Sequence, residues 1–393
     1  MPEAQGETVA ARNQAQGPPS YFAHEPVILA LLSLTAVLSF LAVTGLSRIY
    51  YAQRHFFGNI WFARGTADLK ARRFEAAVAE FRNALLYSRD NYSYQLNLAE
   101  ALLGLNRTNE AYSYLLSLWE RQPENGTVNL ELARIFARKG DRDNAVRYYH
   151  NAIYAIWNDD PDVKRRNARF ELIEFLLKEN ARPQAQAELV ALAADLPDEP
   201  ALLARLGDLF AQAEDYDRAL AEYHRSLKLN PKNPAVMAAA GRAAFELGRY
   251  KLAKTYLESA VSAGPNDAQS ADLLKTTTLV LQMDPFRRQI SATERGRIVI
   301  EAFNTAGKRL KSCAPGEGPN GPTPDTNPQP DLLTRWNEMK PKISERGIRQ
   351  NPNLVEQTMD LVFTIERQAK ADCGPPTGTD LALLLISNMH EGS

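Results

Sequence analysis

The sequence predicts an all-α protein: one N-terminal transmembrane helix, an α-solenoid of about six helix-turn-helix repeats, and a helical C-terminal cap. Three observations predict it. Residues 200–233 and 234–267 are consecutive copies of one 34-residue unit. The stretch Val27 to Leu46 carries no charge over twenty residues. Ala, Leu, Arg and Glu dominate the middle of the chain while β-branched runs are scarce, a composition that favours helices over strands.

Residues 1–25 are polar and aperiodic and are expected to be a disordered tail. The span follows at 26–47. At about 1.5 Å per residue, twenty apolar residues reach roughly 30 Å, the thickness of bilayer hydrocarbon. Tyr21-Phe22 on one side and Tyr50-Tyr51 with Phe56-Phe57 on the other match interfacial aromatic belts. A buried core helix needs neighbours to cover it, and this one is apolar all round with no neighbour in the repeat register. A cleaved signal peptide has a basic start, a shorter apolar core and a small-residue cleavage site. Here Arg12 is the one preceding base, and no such site follows. A retained anchor is expected.

The clearest repeat, from Pro200, carries Leu206-Gly207, Phe210, Ala219, Tyr223 and Pro231; the next places Gly241, Ala244, Ala253, Leu257 and Pro265 at the same offsets. The register carried backwards gives units at about 166–199 (Leu172, Leu176, Ala185, Leu189), 126–159 (Ala133, Phe136, Ala145, Tyr149), 92–125 (Ala99, Leu102, Ala111, Leu115) and 58–91 (Trp61, Gly65, Ala77, Phe81). A six-residue insertion containing Asp159, Asp160 and Pro161 interrupts the period before the fourth unit. Ala occupies position 20 every time. Small residues at positions 8 and 20 let two antiparallel helices approach, bulky residues at 7, 11 and 24 fill the seam, and Pro at 32 stops the second helix.

This pattern resembles the tetratricopeptide repeat, over roughly residues 58–267. The resemblance implies a superhelix whose first helices line a concave face, with positions 2, 5, 6, 9, 12 and 13 pointing inward, and a protein or peptide partner held there. On this chain those positions supply Asn97, Glu100, Arg134, Arg138, Glu171, Glu174, Lys178, Arg205, Asp208 and Arg242, a set suited to a partner carrying both signs of charge. Chaperone-binding members grip a carboxyl terminus with a Lys/Asn set. Here only Asn97 has a comparable type and place. Arg134 and Arg138 stand four apart on one helix and repel, so they require an acidic neighbour or ligand. The bland alternative is that all these charges are solvated or paired with one another.

The two cysteines, Cys313 and Cys373, each end a predicted helix and each precede a Pro/Gly breaker. They are placed to form a disulfide, which would stabilise the region by roughly 4 kcal/mol on the chain-entropy estimate; two unrelated buried thiols are the alternative. Around them lie a helical extension at 268–313, a Pro/Gly-rich loop at 314–330, and helices at about 331–346, 353–371 and 380–389, a cap over the solenoid's end. Disulfides persist in oxidising compartments, which places the repeats outside the cytoplasm, in a bacterial inner-membrane protein with a periplasmic domain. Arg48 and Arg54 beside the span vote the other way through the positive-inside rule, and a cytoplasmic-facing domain is the alternative.

A net charge of −1 gives no field to recruit nucleic acid. Gly316, Gly318 and Gly321 satisfy G-x-G-x-x-G, but prolines interleave them and no strand precedes. The histidines His24, His55, His150, His224 and His390 form no metal or triad spacing. Sequons at Asn91, Asn106 and Asn125 are no more than chance supplies. No cofactor and no catalytic residue are expected. The expected role is a membrane-anchored scaffold that holds a partner protein or peptide near the membrane, as an envelope assembly or chaperone-like factor does; a permanent structural subunit of a larger membrane complex is the alternative.

Overall fold

The computed structural model describes residues 25–264, 267–313 and 329–391. The expected tail, apart from Glu25, and the Pro/Gly-rich loop with its glycine motif lie outside these residues. Eighteen α-helices follow one another among the described residues, in two compact units that meet in sequence at Arg165 and Arg166.

Helix α1 runs unbroken from Glu25–Lys70. At 46 residues it is about 69 Å long, well beyond a bilayer with its headgroups. Every side chain from Val27 to Val43 is exposed. Inside this apolar stretch the hydroxyls of Thr35, Ser39 and Thr44 donate to the carbonyls of Leu32, Thr35 and Phe40 at 2.9, 2.7 and 2.8 Å, so their polar atoms are satisfied without water. No break separates the span expected at 26–47 from the repeat expected to start near 58. The residues between contain neither Pro nor Gly to stop a helix, and α1 continues into the first repeat.

In the first unit α1 pairs with α2 (Phe74–Tyr87), α3 (Tyr92–Gly104) with α4 (Thr108–Arg121), and α5 (Gly126–Lys139) with α6 (Arg142–Ile153). Helix α7 (Pro161–Lys178) runs through the unit boundary. The second unit continues with α8 (Arg182–Asp195), α9 (Pro200–Gln212), α10 (Tyr216–Leu229), α11 (Pro234–Glu246) and α12 (Tyr250–Ala263). The alanines at position 20, from Ala77 through Ala111, Ala145, Ala185 and Ala219 to Ala253, are all 0% exposed. Position 8 faces position 24 in the first, fifth and sixth pairs, where Gly65 meets Phe81, Gly207 meets Tyr223 and Gly241 meets Leu257. A Cβ on Gly207 would lie 2.6 Å from the Tyr223 ring, and one on Gly241 2.7 Å from Leu257, so the absent side chain lets the helices close onto a bulky neighbour.

Each helix pair turns through one shared device. Position 15 is left-handed in every unit: Arg72, Asn106, Gly140, Asn180, Glu214 and Gly248 have φ between 55° and 72°. The next amide then reaches back five residues. Arg73 donates to Asp68, Arg107 to Leu102, Asp141 to Phe136, Ala181 to Leu176, Asp215 to Phe210 and Arg249 to Ala244, at 2.8–3.0 Å. These are Schellman motifs, which satisfy carbonyls that the helix end would leave orphaned. Helix starts are capped in turn: the side chains of Asn91, Asn125, Asp141, Asp215 and Asn233 accept from first-turn amides.

The insertion is a folded element. After α6 the chain doubles back, so that Ile156 N donates to Glu124 O at 3.0 Å and Gly126 N donates to Ile156 O at 3.1 Å. Trp157 lies against Gly126, where a Cβ would approach the indole to 2.3 Å, and its Nε1 donates to Ala152 O at 2.9 Å.

Beyond the sixth repeat, α13 (Ala268–Met283) starts 34 residues after α11 and so occupies the first-helix position of a further unit. The chain then leaves the repeat pattern. Helices α14 (Ala292–Ser312), α15 (Gln329–Met339), α16 (Glu345–Gln350), α17 (Asn353–Cys373) and α18 (Gly378–Glu391) enclose a second core. Phe303 stacks on Trp336 with centroids 5.1 Å apart, and Tyr250, Val280 and Met283 join this core from the repeat side. The C-terminal helices therefore cover the apolar end of the last repeat. The single helix expected at 331–346 is broken: α15 stops at Met339, a 3-10 turn spans Lys340–Lys342, and α16 starts afresh behind its Ser344 cap. Pro341 lacks the amide a continuous helix needs.

Cys313 and Cys373 are joined in a disulfide, with Cα atoms 5.9 Å apart, tying the end of α14 to the end of α17. Beside it, Arg309 stands 3.4 Å from both Glu366 and Asp380. One guanidinium serves two carboxylates, and Glu366 is wholly buried. Burial, then the charge of Asp380, push the Glu366 carboxyl up to about 8 against the pull of Arg309.

Two predictions follow from this packing. Gly207→Leu forces a side chain against the buried Tyr223 ring and should destabilise the chain by about 1–3 kcal/mol, read as a lower midpoint in thermal denaturation; an unchanged midpoint contradicts the close approach. For Glu366, the folded state keeps a proton that the unfolded chain has already released, so its contribution to stability falls as pH rises from about 4.5 to about 8. Glu366→Gln should lose that slope and gain on the parent chain across the window in urea titrations; parallel pH profiles would refute the burial of this charge.

Candidate binding site

In the first unit, the first helices of the second and third repeats bring Glu100 of α3 beside Glu131 and Arg134 of α5, and the charge of Lys164 from the start of α7 reaches the same place. Burial comes first, then the charge of Glu131; together they push the Glu100 carboxyl up to about 7, against Arg134 and Lys164. Arg134 Nη1 donates to Glu131 Oε1 at 2.5 Å. The acidic neighbour that the Arg134–Arg138 pair requires is therefore on their own helix, one turn before Arg134. Arg138 is exposed, and its Nε donates to the Arg134 carbonyl at 3.3 Å. Asn97 donates to Ser93 O at 3.0 Å and is half-buried.

In the second unit, Arg205 of α9 donates to Glu174 of α7 at 2.6 Å, and its guanidinium lies 4.1 Å over the Phe170 ring, a cation–π contact that fixes it in place. Asp208, one turn along α9, accepts from the Tyr223 hydroxyl at 2.8 Å. Burial, followed by this hydrogen bond, raises the phenol above its ordinary range, so Tyr223 stays a donor. Arg242 of α11 lies near enough to act on both Tyr223 and Asp267. Glu171 is half-buried on α7, and Lys178 is exposed at the end of that helix.

Positions 6 and 9 of successive first helices thus stand in register and pair across helices, as Arg205 and Glu174 do. Sequence reasoning missed Glu131 and Lys164. Glu131 occupies position 6 of its unit and was open to the same rule that selects Arg134. Lys164 lies in the insertion, where no register exists to mark it. A surface of alternating Arg and carboxylate, partly engaged with itself, can exchange those pairs for charge-assisted bonds to a polypeptide of mixed charge. Among the described residues no group of three or more His, Cys, Asp or Glu side chains is placed to hold a metal ion.

Family models described as tetratricopeptide repeat match residues 68–135 and 210–275, residues 176–234, and residues 130–164. No curated protein matches the chain. Among solved structures, the C-terminal part of a TPR repeat-containing protein from Cytophaga hutchinsonii is similar at 16% identity, over 61% of this chain and 94% of that one, with a TM-score of 0.46. PilF of Pseudomonas aeruginosa is similar at 15% identity, over 56% and 97% of the two chains, with a TM-score of 0.41. PilW, a type IV pilus biogenesis factor, is similar at 16% identity, over 56% and 98%, with a TM-score of 0.40. With its repeat register, its helix pairs and the tetratricopeptide repeat models matched along its length in agreement, the chain belongs to the tetratricopeptide repeat family.

Proposed function

We propose that this protein is a membrane-anchored interaction scaffold that holds a partner polypeptide against the first helices of its repeats, close to the bilayer and outside the cytoplasm. The observation that carries the reading is α1. An apolar stretch long enough to cross a bilayer and the first helix of the first repeat are one continuous helix, so the repeat has no hinge by which to leave the membrane surface. A partner bound to the repeats that follow α1 in the first unit is then held close to the lipid, as assembly of an envelope complex or chaperoning of a membrane-delivered chain requires. The partner's chemistry follows from the mixed charges of Glu100, Glu131 and Arg134 and of Glu174, Arg205 and Asp208, which suit an extended or helical segment carrying both signs of charge. The Cys313–Cys373 disulfide supports the placement outside the cytoplasm, in the periplasm of a bacterial inner-membrane protein.

The test uses the full chain in its own membrane, with a photo-crosslinking residue at Arg138 or Lys178, both exposed, and at the convex control position Leu229. One stoichiometric protein captured at the first two and lost on Arg205→Glu, a change worth about 1–3 kcal/mol at a charged contact, is expected. Capture of nothing, or equal capture at Leu229, overturns the groove. Maleimide labelling of denatured protein, taken from intact cells with and without reductant, reads the compartment. Thiols that react only after reduction are expected, and thiols that react without it overturn the extracytoplasmic placement.

A further inference from the structure

The last repeat and the C-terminal helices line an open cavity of about 440 Å³ that lies apart from every residue assigned above to partner binding. Its apolar lining comes from three helices: Tyr250 and Leu252 at the start of α12, Val280 and Leu281 near the end of α13, and Met389 near the end of α18. Val280 and Tyr250 are buried, Leu281 and Met389 half-buried, and Leu252 faces the opening at 38% exposure. The polar residues of the lining are Arg249, Lys251, Arg287 and Asp284. Arg249 is paired with Asp217 at 2.6 Å, and Asp284 accepts from the Phe286 amide at 2.8 Å with His390 3.9 Å away. Lys251, exposed at the rim, and Arg287, half-buried and anchored by bonds to the carbonyls of Asp284 and Gln282, outnumber Asp284 among the lining residues, while Glu246 acts on Tyr250 and Glu294 on Arg287 from outside the lining.

We infer that this cavity is a binding site for a small aliphatic carboxylate, its chain lying between Leu252, Val280, Leu281 and Met389 and its head group facing Lys251 and Arg287. Three features of the cavity select this class. Its volume falls within the range of small-molecule sites, which are mainly apolar with a few polar groups that fix orientation. A partner protein needs about 800 Å² of surface on each side for a stable interface, which a cavity of this size does not offer by itself. Apart from Tyr250 the apolar lining is aliphatic and includes a methionine, whose flexible thioether adapts to unbranched chains, while Lys251 and Arg287 at the rim suit an anion. Because α18 carries Met389 at one end and Asp380, bound to Arg309, at the other, a ligand here would also stabilise the docking of α18 on the last repeat.

The test uses the full chain in nanodiscs with methyl-labelled methionine and follows the Met389 resonance. The probes are octanoate, octylammonium, acetate and N-acetyl-leucine. Octanoate should shift Met389 saturably, while acetate, which lacks the chain, and octylammonium, which carries the wrong charge, should not. Lys251→Glu should raise the octanoate dissociation constant about three- to tenfold. This substitution places an acid in the first turn of α12, where the helix dipole favours it, and the remaining methionine resonances report that the fold is intact. Octylammonium matching octanoate, no saturable shift, or an unchanged constant in the variant would each overturn the site. Tighter binding of N-acetyl-leucine than of octanoate would overturn the acyl assignment in favour of a peptide terminus.

Discussion

The structure depends on how closely two antiparallel helices can approach at position 20. An alanine there is wholly buried in all six repeats; position 8 opposite it is small in five of them, Gly65, Ala99, Ala133, Gly207 and Gly241, and is Ile173 in the fourth, while position 24 is large throughout. Phe81, Leu115, Tyr149, Leu189, Tyr223 and Leu257 fill that space. Such packing is dense and short-ranged, so each pair depends on its neighbours rather than on a central core. The left-handed residue at position 15 serves the same end. It reverses the chain within a few residues while the Schellman bonds keep the carbonyls satisfied, and the second helix is delivered directly onto the first.

From that constraint the rest follows in order. Pairs of fixed geometry stack so that position 6 of one first helix meets position 9 of the previous one, which is how Arg205 comes to Glu174. The first pair has no repeat before it, and α1 instead runs on as an apolar helix. The last pair is followed by α13 and then by helices that abandon the period and bury its apolar end around Phe303 and Trp336. The disulfide closes these helices at one end, and the crowded Arg309–Glu366–Asp380 group sits beside it.

The fold was legible where one residue type answers one physical need. Only a small side chain fits at position 20, and the six alanines announce the repeat. Position 15 was not legible, although it is as regular in space. Glycine occupies it in two units and asparagine in two, but Arg72 and Glu214 also adopt the left-handed turn, at a cost of order 1 kcal/mol each that the surrounding bonds offset. Their side chains point to no such turn. The insertion was seen as a slip in period, but its content was not, because the contact of Trp157 with Gly126 spans a whole repeat. At the candidate site the inward positions could be read, while the partners they choose could not. Arg134 is answered by Glu131 on its own helix rather than by a ligand, a matter of side-chain reach that spacing alone leaves open.

The central claim is that six helix pairs share one turn and one register. Native-state hydrogen exchange tests it most directly, because each turn places a single amide in a defined bond. The amides of Arg73, Arg107, Asp141, Ala181, Asp215 and Arg249 each donate to a carbonyl five residues back. The account predicts that all six are protected from exchange like the helices they join. Exchange at the rate of open loops, in any unit whose helices stay protected, would contradict the shared turn on which the account rests.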